Sequence, residues 1–297
     1  MITPPKWVTG LFSRWVTAPV ARYDLRIPND LANLRKYIQK GDVILVEGDQ
    51  RISQIIKYLT QSCWSHACVY IGDELLHHPG PFRDLAIQKY GEDGARHLFI
   101  EATIEDGVTV APLNKYIHLN VRICRPFRIE PEDLQIVLDT AVDHLGFRYD
   151  TGNLVDLARY LLPVKLIPSR LGRKALAFGS GSPTETICSA MIARAFHKAR
   201  FPVVPHTASV KADESILGRF FEEGDKALRQ VFSMQDPTLV VPRDYDLSPY
   251  FQVVKFNMIE GKLFRYKHLV WQDQVEEAQR EASARTPAKP GDLPQSD

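Results

Sequence analysis

The chain has 297 residues, 44% of them hydrophobic and 25% charged, an ordinary composition that permits a sizeable core without disulfides or metal. Lysine plus arginine number 37 against 36 aspartate plus glutamate, so no global field steers the protein toward nucleic acid, which is excluded as a partner. Four cysteines, Cys63, Cys68, Cys124 and Cys188, are too few for a disulfide framework and lack the paired spacing of a zinc knuckle.

No segment approaches about eighteen uninterrupted apolar residues, and the N-terminus lacks the order of a secretory signal. The expected location is cytoplasmic. Residues 1–27 are read as an N-terminal amphipathic segment, with Trp7, Val8, Leu11, Phe12, Trp15 and Val16 on one helical stripe. Residues 1–26 carry four basic side chains against one acidic, a balance of +3. Two uses of that helix stand side by side. It can lie at the inner face of the membrane through Trp7, Leu11, Phe12 and Trp15, or pack on its own domain or a partner, the commoner use.

The compact body is expected over residues 28–271. Asn29-Asp30 precedes a short helix to Ile38, Lys40-Gly41-Asp42 turns the chain, and Val43-Ile44-Leu45-Val46 reads as a buried strand. Residues 52–61 are helix-like, and Ser65 to Ile71 are rich in strand formers. Residues 77–97, with His-His-Pro-Gly-Pro and Gly-Glu-Asp-Gly, read as an excursion between strands. The runs His97–Ile104 and Val108–Pro112 flank Glu105-Asp106-Gly107, a hairpin signal because Asp-Gly suits a turn with positive φ. A strand over 119–125 precedes a helix opened by Pro131-Glu132-Asp133. Residues 153–162 read as helix and 163–183 as an inserted loop; Ser182-Pro183-Thr184-Glu185 is a capping box expected to start the next helix. A late hairpin is expected around Glu260-Gly261. Residues 272–297 are read as a disordered polar tail with a charge of −3.

Among the cysteines, Cys188 is the candidate nucleophile, because it lies at or near a helix start, where unpaired N–H groups favour a thiolate. If Ser182 caps that helix, Cys188 gains little; if Thr186 caps it, Cys188 gains most of the effect. His66 heads a strand edge from which it can project into a cleft. Glu101 interrupts the apolar run Leu98 to Ala102, and a buried carboxylate needs a partner. Antiparallel pairing of these successive strands would join Glu101 to His66, set the tautomer, and hold the other nitrogen toward the thiol. Glu105 and Asp106 read as turn residues.

Taken together, Gly41-Asp42-Val43-Ile44-Leu45, Trp64-Ser65-His66-Ala67-Cys68-Val69-Tyr70, Phe99-Ile100-Glu101-Ala102 and Cys188-Ser189-Ala190 resemble the YiiX/YebB-like cysteine hydrolases. These form a permuted papain-like branch of the NlpC-type superfamily. The resemblance implies an α+β, circularly permuted papain-like fold, with an antiparallel sheet or barrel packed against helices including the nucleophile helix. It implies His66 as base, Glu101 as orienter and Cys188 as nucleophile of an amidase or peptidase-like thiol hydrolase that needs no metal or organic cofactor. Phe147-Arg148-Tyr149-Asp150 resembles a stretch where the family places a tyrosine near the active site, so Tyr149 is a candidate oxyanion or substrate contact. The expected substrate is a small molecule, peptide or lipid. The alternatives are a membrane-surface acyltransferase, similar to lecithin retinol acyltransferase-like proteins, and a catalytically silent binder of acylated ligands.

Overall fold

The computed structural model describes residues 18–19, 23–26, 28–149, 185–186, 188–208, 231–256 and 272–285. Its first helix, α1 (Leu31–Tyr37), starts where the Asp30 carboxylate accepts the amides of Ala32 and Asn33 at 2.8 and 3.2 Å. Gly41 follows at φ +84°, and a Cβ there would stand 2.4 Å from Leu134 Cδ1, so the turn requires glycine twice over. Asp42 is fully buried and holds the turn by accepting the Gln39 amide at 2.8 Å. It also takes two bonds from Arg125, at 2.9 and 2.8 Å. The Gly41-Asp42 pair is therefore a folding device.

β1 (Val43–Glu47), α2 (Arg51–Thr60) and β2 (His66–Gly72) follow as the apolar pattern indicates. The 77–97 excursion is mostly helical: a 3₁₀ turn (Glu74–His77) leads into α3 (Pro81–Ala95). Pro81 sits in its first turn, while Gly91, at φ +71°, kinks it and hides it from a propensity reading. β3 (Leu98–Thr103) and β4 (Gly107–Pro112) form the expected hairpin, with Gly107 at φ +68°. A 3₁₀ helix (Leu113–Tyr116), β5 (Asn120–Pro126) and α4 (Pro131–Asp143) come next.

β6 (Arg148–Tyr149) pairs in parallel with β7 (Glu185–Thr186), and α5 (Cys188–Lys198) begins immediately beyond. The helix does not start at the Ser182 capping box, because Glu185 and Thr186 are drawn into the strand pair. β8 (Pro205–Ala208) pairs with β9 (Val231–Met234), and α6 (Pro242–Leu247) leads to β10 (Phe251–Val254).

The main sheet is antiparallel throughout, in the order β10-β5-β1-β2-β3-β4. It is open among the described residues, with β10 and β4 at its edges, rather than closed into a barrel. One buried cluster joins Val43, Leu45, Val69 and Ile100 of this sheet to Met191, Ile192 and Phe196 of α5. Each fully buried side chain of this kind contributes about 1.5–3 kcal/mol. Phe251 packs edge-on against Phe196, Phe201 and Tyr245. The Tyr245 hydroxyl donates to the Ser189 carbonyl at 2.8 Å, and the Ser189 hydroxyl donates to the Val240 carbonyl at 2.7 Å. These two buried bonds pin the first turn of α5.

Contacts divide the chain into Met1–Lys255 and Phe256–Asp297. The sequence reading carried the body on to residue 271. In the second unit Gln272–Arg285 forms α7, where a disordered tail was expected. Gln272 to Glu276 (2.7 Å) and Arg280 to Glu276 (3.8 Å) are i,i+4 pairs that support an exposed helix. The amphipathic stripe of residues 7–16, the helix over 153–162, the loop at 163–183 and the hairpin around Glu260-Gly261 lie outside the described residues. No described helix is long and apolar enough to cross a membrane.

Burial opposes the charge on Asp42 and raises its pKa, while Arg125 acts the other way. Removing Arg125 strands that carboxylate and the Tyr37 carbonyl, which Arg125 also bonds at 2.5 Å. Arg125→Met is expected to cost about 3–5 kcal/mol in urea unfolding. The exposed Arg35–Asp93 pair, at 3.7 Å, is the control. Arg35→Met is expected to cost under about 1 kcal/mol. Equal losses for the two variants would refute the distinction.

Candidate active site

Strand geometry assembles the first two members of the site. Side chains alternate along β2, so His66 and Cys68 share a face. β2 and β3 pair with Val69 opposite Ile100, and the next step of that register sets Glu101 across from Cys68. His66 Nε2 consequently lies 2.9 Å from Glu101 Oε2. The residues just before His66 hold it in place. The Ser65 amide donates to the Val46 carbonyl at 3.1 Å, and the Ser65 hydroxyl accepts the Gly48 amide at 3.0 Å. A Cβ at Gly48 would stand 2.3 Å from Ser53 Oγ, so this crossing has no room for a side chain. Trp64 donates from Nε1 to Asp246 at 3.0 Å and lies under the Arg122 guanidinium, 5.0 Å from its centroid.

Glu101 is fully buried and accepts four donors, the longest of these bonds coming from the Cys68 thiol at 4.0 Å. Besides His66, the Tyr116 hydroxyl donates to Oε2 at 2.6 Å, and the Lys115 ammonium pairs with Oε1. Burial alone would push this carboxyl up. The bond and charge of His66 and the Lys115 ammonium outweigh burial and hold it down at about 2. Tyr116 also meets the His66 ring edge-on, with centroids 5.7 Å apart. Neither Lys115 nor Tyr116 was anticipated from sequence. The available signal was Glu101 itself, since an ionised carboxylate inside a strand demands donors from some neighbouring segment.

Cys188 is the first residue of α5, only 7% exposed, and its side chain hydrogen-bonds His66. Because Nε2 is taken by Glu101, Nδ1 is the ring nitrogen left for the thiol. Burial opposes a thiolate at Cys188. The His66 charge and bond, together with backbone N–H groups of Ala67 and Ser189, nevertheless bring its pKa below the ordinary cysteine value. Burial likewise opposes an imidazolium, yet the acidic groups facing His66 (Cys68, Tyr116 and the bonded Cys188) raise its pKa well above the ordinary histidine range. The other nearby thiol behaves differently: burial pushes Cys68 up to about 11. A thiolate–imidazolium pair at Cys188 and His66, with Glu101 behind the ring, is the arrangement these environments favour.

Tyr149 lies in β6 opposite Thr186, two residues before Cys188. Its side chain lies outside the described residues. A cavity of about 270 Å³ opens over the pair, lined in part by Gly48, Ser65, His66, Tyr116 and Cys188. Among the described residues, two donor groups have a spacing compatible with an ion, His66–Cys68–Glu101 and Glu74–His78–Asp139. In the first, His66, Lys115 and Tyr116 already occupy Glu101, and Cys68 remains a thiol that donates to the same carboxylate at 4.0 Å, which suits hydrogen bonding better than coordination. In the second, the Lys40 ammonium at 2.7 Å and the Gln135 amide at 2.9 Å engage Glu74.

Glu101→Gln keeps the shape and removes the anion behind His66. The His66 pKa, followed by imidazole NMR, is expected to fall toward the ordinary histidine range. An unchanged imidazole titration would show that Glu101 does not set the charge on the ring.

Comparison with known proteins adds to this geometry. Curated proteins give no match. The crystal structure of the metalloprotein yiiX from Escherichia coli O157:H7 is similar at 17% identity and a TM-score of 0.41, covering 73% of this chain and 96% of that one. The family model of permuted papain-like amidases, YaeF/YiiX, C92, matches residues 37–160, a stretch that holds His66 and Glu101 and ends before Cys188. Over residues 37–160, then, this chain is similar to the permuted papain-like amidases of the YaeF/YiiX type, the C92 family.

Proposed function

We propose that the protein is a cysteine hydrolase that opens an amide or ester bond through a thioester on Cys188. The observation that carries this reading is the convergence of Cys188, His66 and Glu101 from α5, β2 and β3. The Cys188 thiolate attacks the carbonyl carbon, forming the C–S bond and placing negative charge on the oxygen. Backbone N–H groups at the start of α5 are suited to stabilise that oxyanion, and Tyr149 is a further candidate donor. The His66 imidazolium gives its proton to the departing amine or alcohol as the C–N or C–O bond breaks. Water, deprotonated by His66, then cleaves the thioester, releases the acid, and regenerates the ion pair. Glu101 holds the ring in the tautomer both steps need.

The pH dependence follows from the two shifts. Activity rises as pH climbs through the lowered Cys188 pKa, because the thiolate forms. It falls as pH climbs through the raised His66 pKa, because the proton donor is lost. With matched amide and ester substrates, Cys188→Ala is expected to lower kcat/KM by about 10³-fold or more. Mass spectrometry of wild type quenched in acid is expected to show the acyl group on Cys188. Full turnover by Cys188→Ala would refute the mechanism.

A further inference from the structure

The cavity over Cys188 has an unbalanced lining. Carboxylates reach it from two separate connections: Asp49 from the β1–α2 loop, and Glu105 and Asp106 from the β3–β4 turn. Among the described residues no cation pairs with Asp49 or Glu105. The one lysine in the described lining, Lys115, has its ammonium bonded to Glu101. The Cys188–His66 pair adds no net charge when it is thiolate and imidazolium. The field from the described lining is therefore negative, and a cavity concentrates it by excluding bulk water. Beside the acids lies a hydrocarbon wall, where Ile52 and Ile56 of α2 pack with Ile104 from the end of the hairpin strand.

From this pairing we infer that the cavity selects substrates carrying an aliphatic cation, an ammonium or guanidinium on a short hydrocarbon stem, near the scissile bond. The inference rests on the cysteine-hydrolase reading and narrows its substrate class. The stem lies along the isoleucines, and the cation reaches Asp49 or the Glu105–Asp106 turn. An anionic group, such as a free peptide carboxylate, meets three like charges in the same space and is disfavoured. An acyl chain with no charge gains only the apolar wall.

Alkylation of Cys188 tests this before any substrate is known. The full chain is treated with iodoacetamide, iodoacetate and N-(4-aminobutyl)iodoacetamide at low ionic strength. Each rate is divided by that of glutathione to remove intrinsic reactivity. The comparison is with Asp49→Asn/Glu105→Gln/Asp106→Asn, whose isosteric changes lie at half-buried or exposed positions outside the triad. The His66 imidazolium favours iodoacetate equally in both proteins, so the change between them isolates the rim. The normalised cation-to-anion ratio is expected to exceed one in wild type, to fall roughly tenfold in the triple variant, and to fall with added salt. A ratio that the triple substitution leaves unchanged, or a wild-type preference for iodoacetate, would overturn the proposal. Failure of the hydrolase reading registers in a different quantity, the absolute rate of the neutral probe. An ordinary thiol rate there would still leave the charge ratio to be read.

Discussion

An ionised carboxylate inside a sheet is tolerable only if donors replace the water it has lost, and Glu101 is such a group. Its side chain has no exposed surface, and the described structure supplies Lys115, Tyr116 and His66 to it. Each donor comes with a structural demand. Lys115 and Tyr116 require the chain to turn in a 3₁₀ helix immediately after β4, folding back over the hairpin that carries Glu101. His66 requires β2 and β3 to keep one register, since a one-residue slip would send either side chain to the other face. The carboxylate thus fixes the ring that faces Cys188, and its charge favours the protonated imidazole.

Cys188 arrives from a separate element. α5 packs against β2 and β3, and its first turn is tied down by the Tyr245 and Ser189 hydroxyls. Starting at Cys188, the helix directs unpaired N–H groups toward the sulfur, where the macrodipole also favours negative charge. Two frameworks, the sheet for His66 and Glu101 and the helix for Cys188, meet at one cavity. They share one buried core, so the ion pair records how well they are docked.

Much of this was legible in the residues. The hairpin at Glu105-Asp106-Gly107 could be read because positive φ is demanded at one position and glycine fills it. The neighbourhood of His66 and Glu101 followed from the hairpin-like succession of strands and the cost of burying an acid. Other features had no local signal. Lys115 and Tyr116 sit in four residues of 3₁₀ helix, too short for any period to show. The capping-box pattern at Ser182 was overridden by pairing of Glu185 and Thr186 with Arg148 and Tyr149, a contact between segments far apart in sequence. α3 was obscured by two glycines in its interior, and α7 by a polarity that i,i+4 pairs can support in a helix as readily as solvent can in a tail.

The proposed activity depends on a thiolate–imidazolium pair, and the rate of Cys188 alkylation by iodoacetamide, followed from about pH 4 to about pH 9 in wild type and His66→Ala, measures that pair most directly. Labelling that sets in at lower pH in wild type than for an ordinary thiol, displaced in His66→Ala toward an ordinary profile near pKa ~8.5, is the expected result. Profiles that coincide near that ordinary value in both proteins would contradict the account, because Cys188 would then be a buried thiol beside a histidine that does not activate it.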